Sequence, residues 1–92
     1  MIKNFKHRGL KRLFEKGDRR KINPNHLDKI ELILADLNTA ETIADLRLPG
    51  YRLHELHGDL KGFFTIDVSG NWRIIFKFKM GVASKINLLD YH

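Results

Sequence analysis

The stretch Gly62–Lys79, GFFTIDVSGNWRIIFKFK, decides the fold. Along its second half the side chains alternate: Trp72, Ile74, Phe76 and Phe78 fall on one face, Arg73, Ile75, Lys77 and Lys79 on the other. A period of two marks a strand whose two faces meet different surroundings. Gly70-Asn71 suits a two-residue hairpin turn, which makes GFFTIDVS the antiparallel neighbour of WRIIFKFK. One greasy face and one largely polar, cationic face predict a sheet covered on one side only.

Working outward, Met80-Gly81 turns the chain again and VASKINLLDY forms the last strand. Upstream, YRLHEL reads as a short strand that reaches GFFTIDVS through the turn HGDLK. Further upstream the period becomes helical. In HRGLKRLFEKG, Leu10, Leu13 and Phe14 share a face, and Gly17 suits a left-handed C-cap, although Gly9 disfavours a helix interior. Asn23-Pro24 is a helix start, with a stripe of Leu27, Ile30, Ile33 or Leu34, and Leu37 behind it. NTAETIADL holds room for one more helical turn, with Thr39 as its cap, before Leu48-Pro49-Gly50 breaks it. MIKNF reads as a short first strand. The expected fold is α+β: β-α-α, then a four-stranded antiparallel meander with both helices on its greasy face, in one domain spanning residues 1–92.

Ninety-two residues with 42% hydrophobic content suit one small core and argue against disorder. No apolar run approaches the ~20 residues that cross a bilayer. MIKNFKHRGLKR lacks the continuous apolar segment of a secretory signal. The absence of cysteine excludes disulfides, thiolate chemistry and cysteine–zinc sites, and it fits a cytoplasmic setting. Charge is lopsided. Lys3, Lys6, Arg8, Lys11, Arg12, Lys16, Arg19, Arg20 and Lys21 face only Glu15 and Asp18 in the first 21 residues, so the net +6 of the chain originates there. Such asymmetry points to a polyanion, nucleic acid before an acidic protein.

The chemistry-bearing side chains cluster late. Arg73 and Lys77 point the same way from one strand, and Arg52 and His54 share a direction on another. If those directions coincide, a histidine lies on a positively charged surface. The chain then closes on Asp90, Tyr91 and His92. As the last residue, His92 is expected to carry the chain's own carboxylate, which favours imidazolium, and Asp90 could orient its ring. A histidine beside a carboxylate suits proton transfer near neutral pH. His7 and His26, near helix starts, are expected at the surface. His54-x-x-His57 with Asp90 and His92 has zinc-type ligands, but rings across a strand end do not converge, so no metal is expected. Phosphate-cradling glycine loops, nucleophile elbows and dinucleotide fingerprints are absent.

MIKNFKHRGLKRLFEKG, YRLHEL followed by GD, GFFTIDVSGNWRIIF and the terminal DYH together resemble the HigB-type toxins of bacterial toxin–antitoxin pairs, within the RelE/ParE superfamily, over essentially the full length. That resemblance implies a RelE-like fold and an endoribonuclease that cuts mRNA in the ribosomal A site without metal or cofactor. Its restraint would come from a HigA-like helix-turn-helix antitoxin. Carried over residue by residue, it implies His54, Asp90, Tyr91 and His92 as catalytic residues and Arg73 as a phosphate contact aided by Lys61 and His57. His57 stands where relatives often carry lysine. The basic residues from Lys3 to Lys21 would hold ribosomal RNA. Two other readings differ in class: a non-catalytic translation blocker that shares the basic face, and a gyrase-poisoning toxin of the same superfamily, which would not need an acid–base constellation.

Overall fold

The computed structural model describes residues 1–91. Helix α1 (Arg8–Lys16) and helix α2 (Leu27–Thr39) precede four strands, β1 (His54–Glu55), β2 (Phe63–Ser69), β3 (Trp72–Lys79) and β4 (Val82–Asp90). The strands form one antiparallel sheet in the order β1-β2-β3-β4.

Helix α1 starts where the His7 side chain accepts the Leu10 amide at 3.1 Å, and it ends at Gly17, whose φ of +66° fits the left-handed cap. Gly9 is required by packing, because a Cβ there would lie 2.8 Å from the Lys21 Cβ. Asn23 caps the 3₁₀ turn Pro24–His26, which leads into α2. Both Ile33 and Leu34 are buried, so the apolar stripe of α2 is wide enough to meet α1 and the sheet together. Leu10, Leu13, Ile30 and Leu37 pack with Ile66, Ile74, Phe76 and Ile86 from the inner face of the sheet. Each fully buried side chain of this kind stabilises the fold by about 1.5–3 kcal/mol. Phe14, expected in the same stripe, is 38% exposed and rests against Phe5 instead.

Four other expectations need correction. MIKNF forms no strand; it makes two isolated parallel bridges to β4, Ile2 with Ala83 and Phe5 with Ile86. Between them, Lys85 adopts a φ of +52° and its amide bonds Asn4 Oδ1 at 2.6 Å, so continuous pairing is interrupted. YRLHEL shrinks to His54–Glu55, because Tyr51 turns inward and Arg52 takes a φ of +46°. Thr39 ends α2 rather than capping a new turn. The 3₁₀ turn Ile43–Leu46 is stabilised by Asp45, whose Oδ2 accepts the Glu41 and Thr42 amides. His7 and His26 are not free surface residues: His7 is a half-buried cap, and His26 is buried with its ring centroid 5.8 Å from that of Trp72.

Candidate functional site

Strand register builds the site. Residues paired across a ladder share a face, so His54, Thr65, Ile75 and Asn87 form one row on the outer side of the sheet. The next row on that side holds Asp67, Arg73 and Leu89. His54 and Arg73 therefore emerge on the same face, two strands apart. Ile75, expected among polar side chains, is buried there beside Thr65, which is 1% exposed.

Tyr51 fixes the edge of this surface. Its hydroxyl donates to Asp36 Oδ2 on α2 at 2.6 Å, and its carbonyl accepts the Asp67 amide at 2.8 Å. Burial, reinforced by the Asp36 carboxylate, pushes the phenol well above its ordinary range, so it remains a donor. Lys29 adds a bond to the Gly50 carbonyl. Arg52 follows directly in its strained conformation, a feature that concentrates at functional sites.

A cavity of about 650 Å³ opens on this face, lined by Arg52, Leu53, His54, Leu56, Thr65, Arg73 and Tyr91. Arg73 is anchored by Asp67, with Nη1 to Oδ1 at 2.5 Å; Arg52 Nε approaches the other oxygen of that carboxylate at 3.5 Å. The Arg73 guanidinium lies 5.6 Å from the Tyr91 ring centroid, within cation–π range. Among the described residues its Nε is buried without a hydrogen-bond partner. Buried donors are nearly always satisfied, so an unpaired one beside a cavity suits an incoming anionic oxygen. The Tyr91 amide donates to the Asn71 carbonyl at 2.8 Å, which ties the end of the described chain to the β2–β3 turn.

The sequence-predicted residues are thus partly brought together. His54, Arg73 and Tyr91 meet at one cavity. Asp90 ends β4 opposite Trp72, and by ladder alternation it leaves the strand on the face away from Arg73. His57 and Lys61 flank the 3₁₀ turn Gly58–Leu60, exposed and outside the cavity lining. His92 lies outside the described residues. Asp67, which holds both arginines, was overlooked in the sequence. An aspartate inside the apolar run FFTIDVS was the available signal; a two-residue turn alone would set Val68 opposite Arg73, and only the irregularity between Asp67 and Ser69 brings Asp67 there.

All nine basic residues of the first 21 are exposed, but they are not equivalent. Arg8, Lys11, Arg12 and Lys16 border a shallow depression along α1 with Glu15. Asp18 gathers Arg20 at 3.0 Å and Arg12 at 3.4 Å, and chiefly the Arg20 hydrogen bonds hold its carboxyl well below the usual carboxylate range. Arg19 reaches Glu31 at 3.4 Å and Asp28 at 3.9 Å. Lys3 stands apart, with lysines of the β3–β4 hairpin. Among the described residues, no helix is long and apolar enough to cross a membrane.

A small antiparallel sheet with helices on one face and a cationic, histidine-bearing cavity on the other defines an α+β fold with an open site. The crystal structure of YafQ from E. coli matches it with a TM-score of 0.56 at 20% identity, over 96% of this chain and 89% of that one. The chain belongs to the RelE-like toxins of the type II toxin–antitoxin system HigB, whose family model matches residues 3–92. It is 46% identical to the Endoribonuclease HigB of Proteus vulgaris over the whole of both chains. It is 34% identical to Toxin HigB-1 of Vibrio cholerae, covering all of this chain and 98% of that one.

Proposed function

We propose that this toxin is an endoribonuclease that cuts mRNA in the ribosomal A site and so halts translation, until a HigA-like helix-turn-helix antitoxin neutralises it. The observation that carries this reading is the convergence of His54, Arg73 and Tyr91 on one open cavity, with the Arg73 Nε unpaired among the described residues. The endoribonuclease name of the Proteus relative supports it.

The reaction needs no metal. A base takes the proton from an RNA 2′-hydroxyl, and that oxygen attacks the neighbouring phosphorus. The bond from phosphorus to the 5′-oxygen breaks as an acid protonates the leaving oxygen. The products are a 2′,3′-cyclic phosphate and a 5′-hydroxyl end. His54 and His92 form the acid–base pair, worth about 10²–10⁴-fold for each group. Asp90 orients an imidazole or takes the proton itself. Arg73, assisted by Lys61 and His57, stabilises charge building on the phosphate. Tyr91 stacks on the splayed nucleotide, the way aromatic side chains read unpaired bases. The ribosome supplies in-line geometry by holding the codon, a contribution of several kcal/mol. The basic residues from Lys3 to Lys21 grip ribosomal RNA, a contact that weakens as salt rises.

Mapping RNA ends on a translated message tests the proposal. Cleaved products with 5′-hydroxyl ends are expected. Ribosome stalls without new ends would replace the enzyme with a non-catalytic blocker.

A further inference from the structure

Strand β3 carries a second cationic surface, at the end remote from Arg73. Lys77 and Lys79 of β3, Lys85 of β4, Lys3 and Asn4 line a groove of about 660 Å³, with Met80 at its lip. Among the described residues, none of these four lysines makes an ion pair, in contrast to Arg12, Arg19 and Arg20. Clustered like charges repel one another, so four unneutralised ammonium groups around one groove call for an anionic occupant. The backbone is strained to build it. Lys85 holds a φ of +52°, in the region that favours glycine, at the bulge where pairing shifts between Ile75 and Lys77. Asn4 accepts its amide at 2.6 Å and holds that conformation. Met80, also at a φ of +52°, is 91% exposed and offers a polarisable thioether at the rim.

Strand β3 carries residues of both the groove and the candidate cavity. Arg73 and Lys77 lie on the same strand and the same face, four residues apart. That separation is about 13 Å along a strand, a span that a short run of nucleotides covers. We propose that Lys77, Lys79 and Lys85 in this groove bind the phosphate backbone of the substrate RNA strand as it leaves the cavity, with a base resting on Met80. This deepens the ribonuclease reading and rests on it for the identity of the strand.

The test is binding of the full chain to a short fluorescent single-stranded RNA whose 2′-hydroxyls are all methylated, followed by anisotropy across a salt series. A Lys77→Gln, Lys79→Gln, Lys85→Gly variant should bind about tenfold or more weakly, and its log K against log salt slope should fall by about 2, at ~0.7 per phosphate on a single strand. Lys85→Gly alone separates charge from folding. Glycine accepts the left-handed backbone, so this variant keeps its melting temperature while binding more weakly. Unchanged RNA affinity in the triple variant overturns the proposal. So does retained RNA affinity combined with loss of ribosome or antitoxin binding, which would assign the groove to those partners. The probe cannot be cleaved, so this outcome is independent of whether a translated message yields cut ends.

Discussion

Arg73 donates to Asp67 from Nη1 across the β2–β3 ladder at 2.5 Å, and this contact leaves its Nε without an acceptor among the described residues. The carboxylate thus positions the guanidinium without occupying all of its fork. Arg73→Lys keeps the charge but loses the planar donor set. Cleavage of a translated message should fall by about 10²-fold, the scale for removal of one donor to a developing oxyanion. Asp67→Asn should cost up to ~10²-fold through misplacement of Arg73 alone. Near-normal rates in both variants would remove Arg73 from the chemistry.

His54→Ala should lower the cleavage rate by about 10²–10⁴-fold with the fold intact, as judged by an unaltered melting curve. His92→Ala, or deletion of residues 90–92, should abolish growth arrest on induction. A truncated protein that cuts translated mRNA at the full rate would refute the acid–base pair.

The Tyr51 hydroxyl joins α2 to the edge of the cavity through Asp36. Tyr51→Phe removes one hydrogen bond to a charged acceptor and should cost roughly 1.5–3 kcal/mol in urea unfolding. Because Arg52 and His54 follow Tyr51 directly, cleavage should fall as well. A loss of stability at constant activity would show that the edge of the site is held by other contacts.

His7 caps α1 as a neutral ring, since Nδ1 accepts the Leu10 amide only when unprotonated. Burial lowers its pKa below the ordinary ~6.5 of an imidazole. The stability it contributes is complete above that ordinary value and is lost as the pH falls through the lowered one. His7→Asn caps without titrating, so its stability should decline less between neutral and mildly acid pH. Parallel acid profiles for the two proteins would show that the cap does not titrate.

Lys11→Glu with Lys16→Glu should weaken co-sedimentation with ribosomes at moderate salt more than it alters the chemical step. Reversal at Arg12, Arg19 or Arg20 is a poorer probe, because their partners Asp18, Asp28 and Glu31 would then face like charge. Undiminished sedimentation of the double variant would separate α1 from ribosome binding.

Local pattern was enough for much of this protein. The alternation in WRIIFKFK, the Gly70-Asn71 turn, the Leu10/Leu13 stripe, and the Gly17 and Asn23 caps each express a short-range rule, and the structure contains the elements they predict. Period-two reasoning also aligned Arg73 with Lys77, whereas Arg52 lies outside the strand at a φ of +46° and reaches the cavity of His54 without strand alternation. The contacts that make a site are long-range and follow no local rule. Pairing of His54 with Thr65, Asp67 between two arginines, Tyr51 turned onto Asp36, and Arg73 against Tyr91 all depend on strand register and helix docking. The same applies to the failed strand at MIKNF, where Asn4 and the bulge at Lys85 interrupt pairing. Residue types and periodicity determined which side chains could do chemistry. Only the packed sheet decided which of them share a cavity, because a shift of one residue in register moves a side chain to the opposite face.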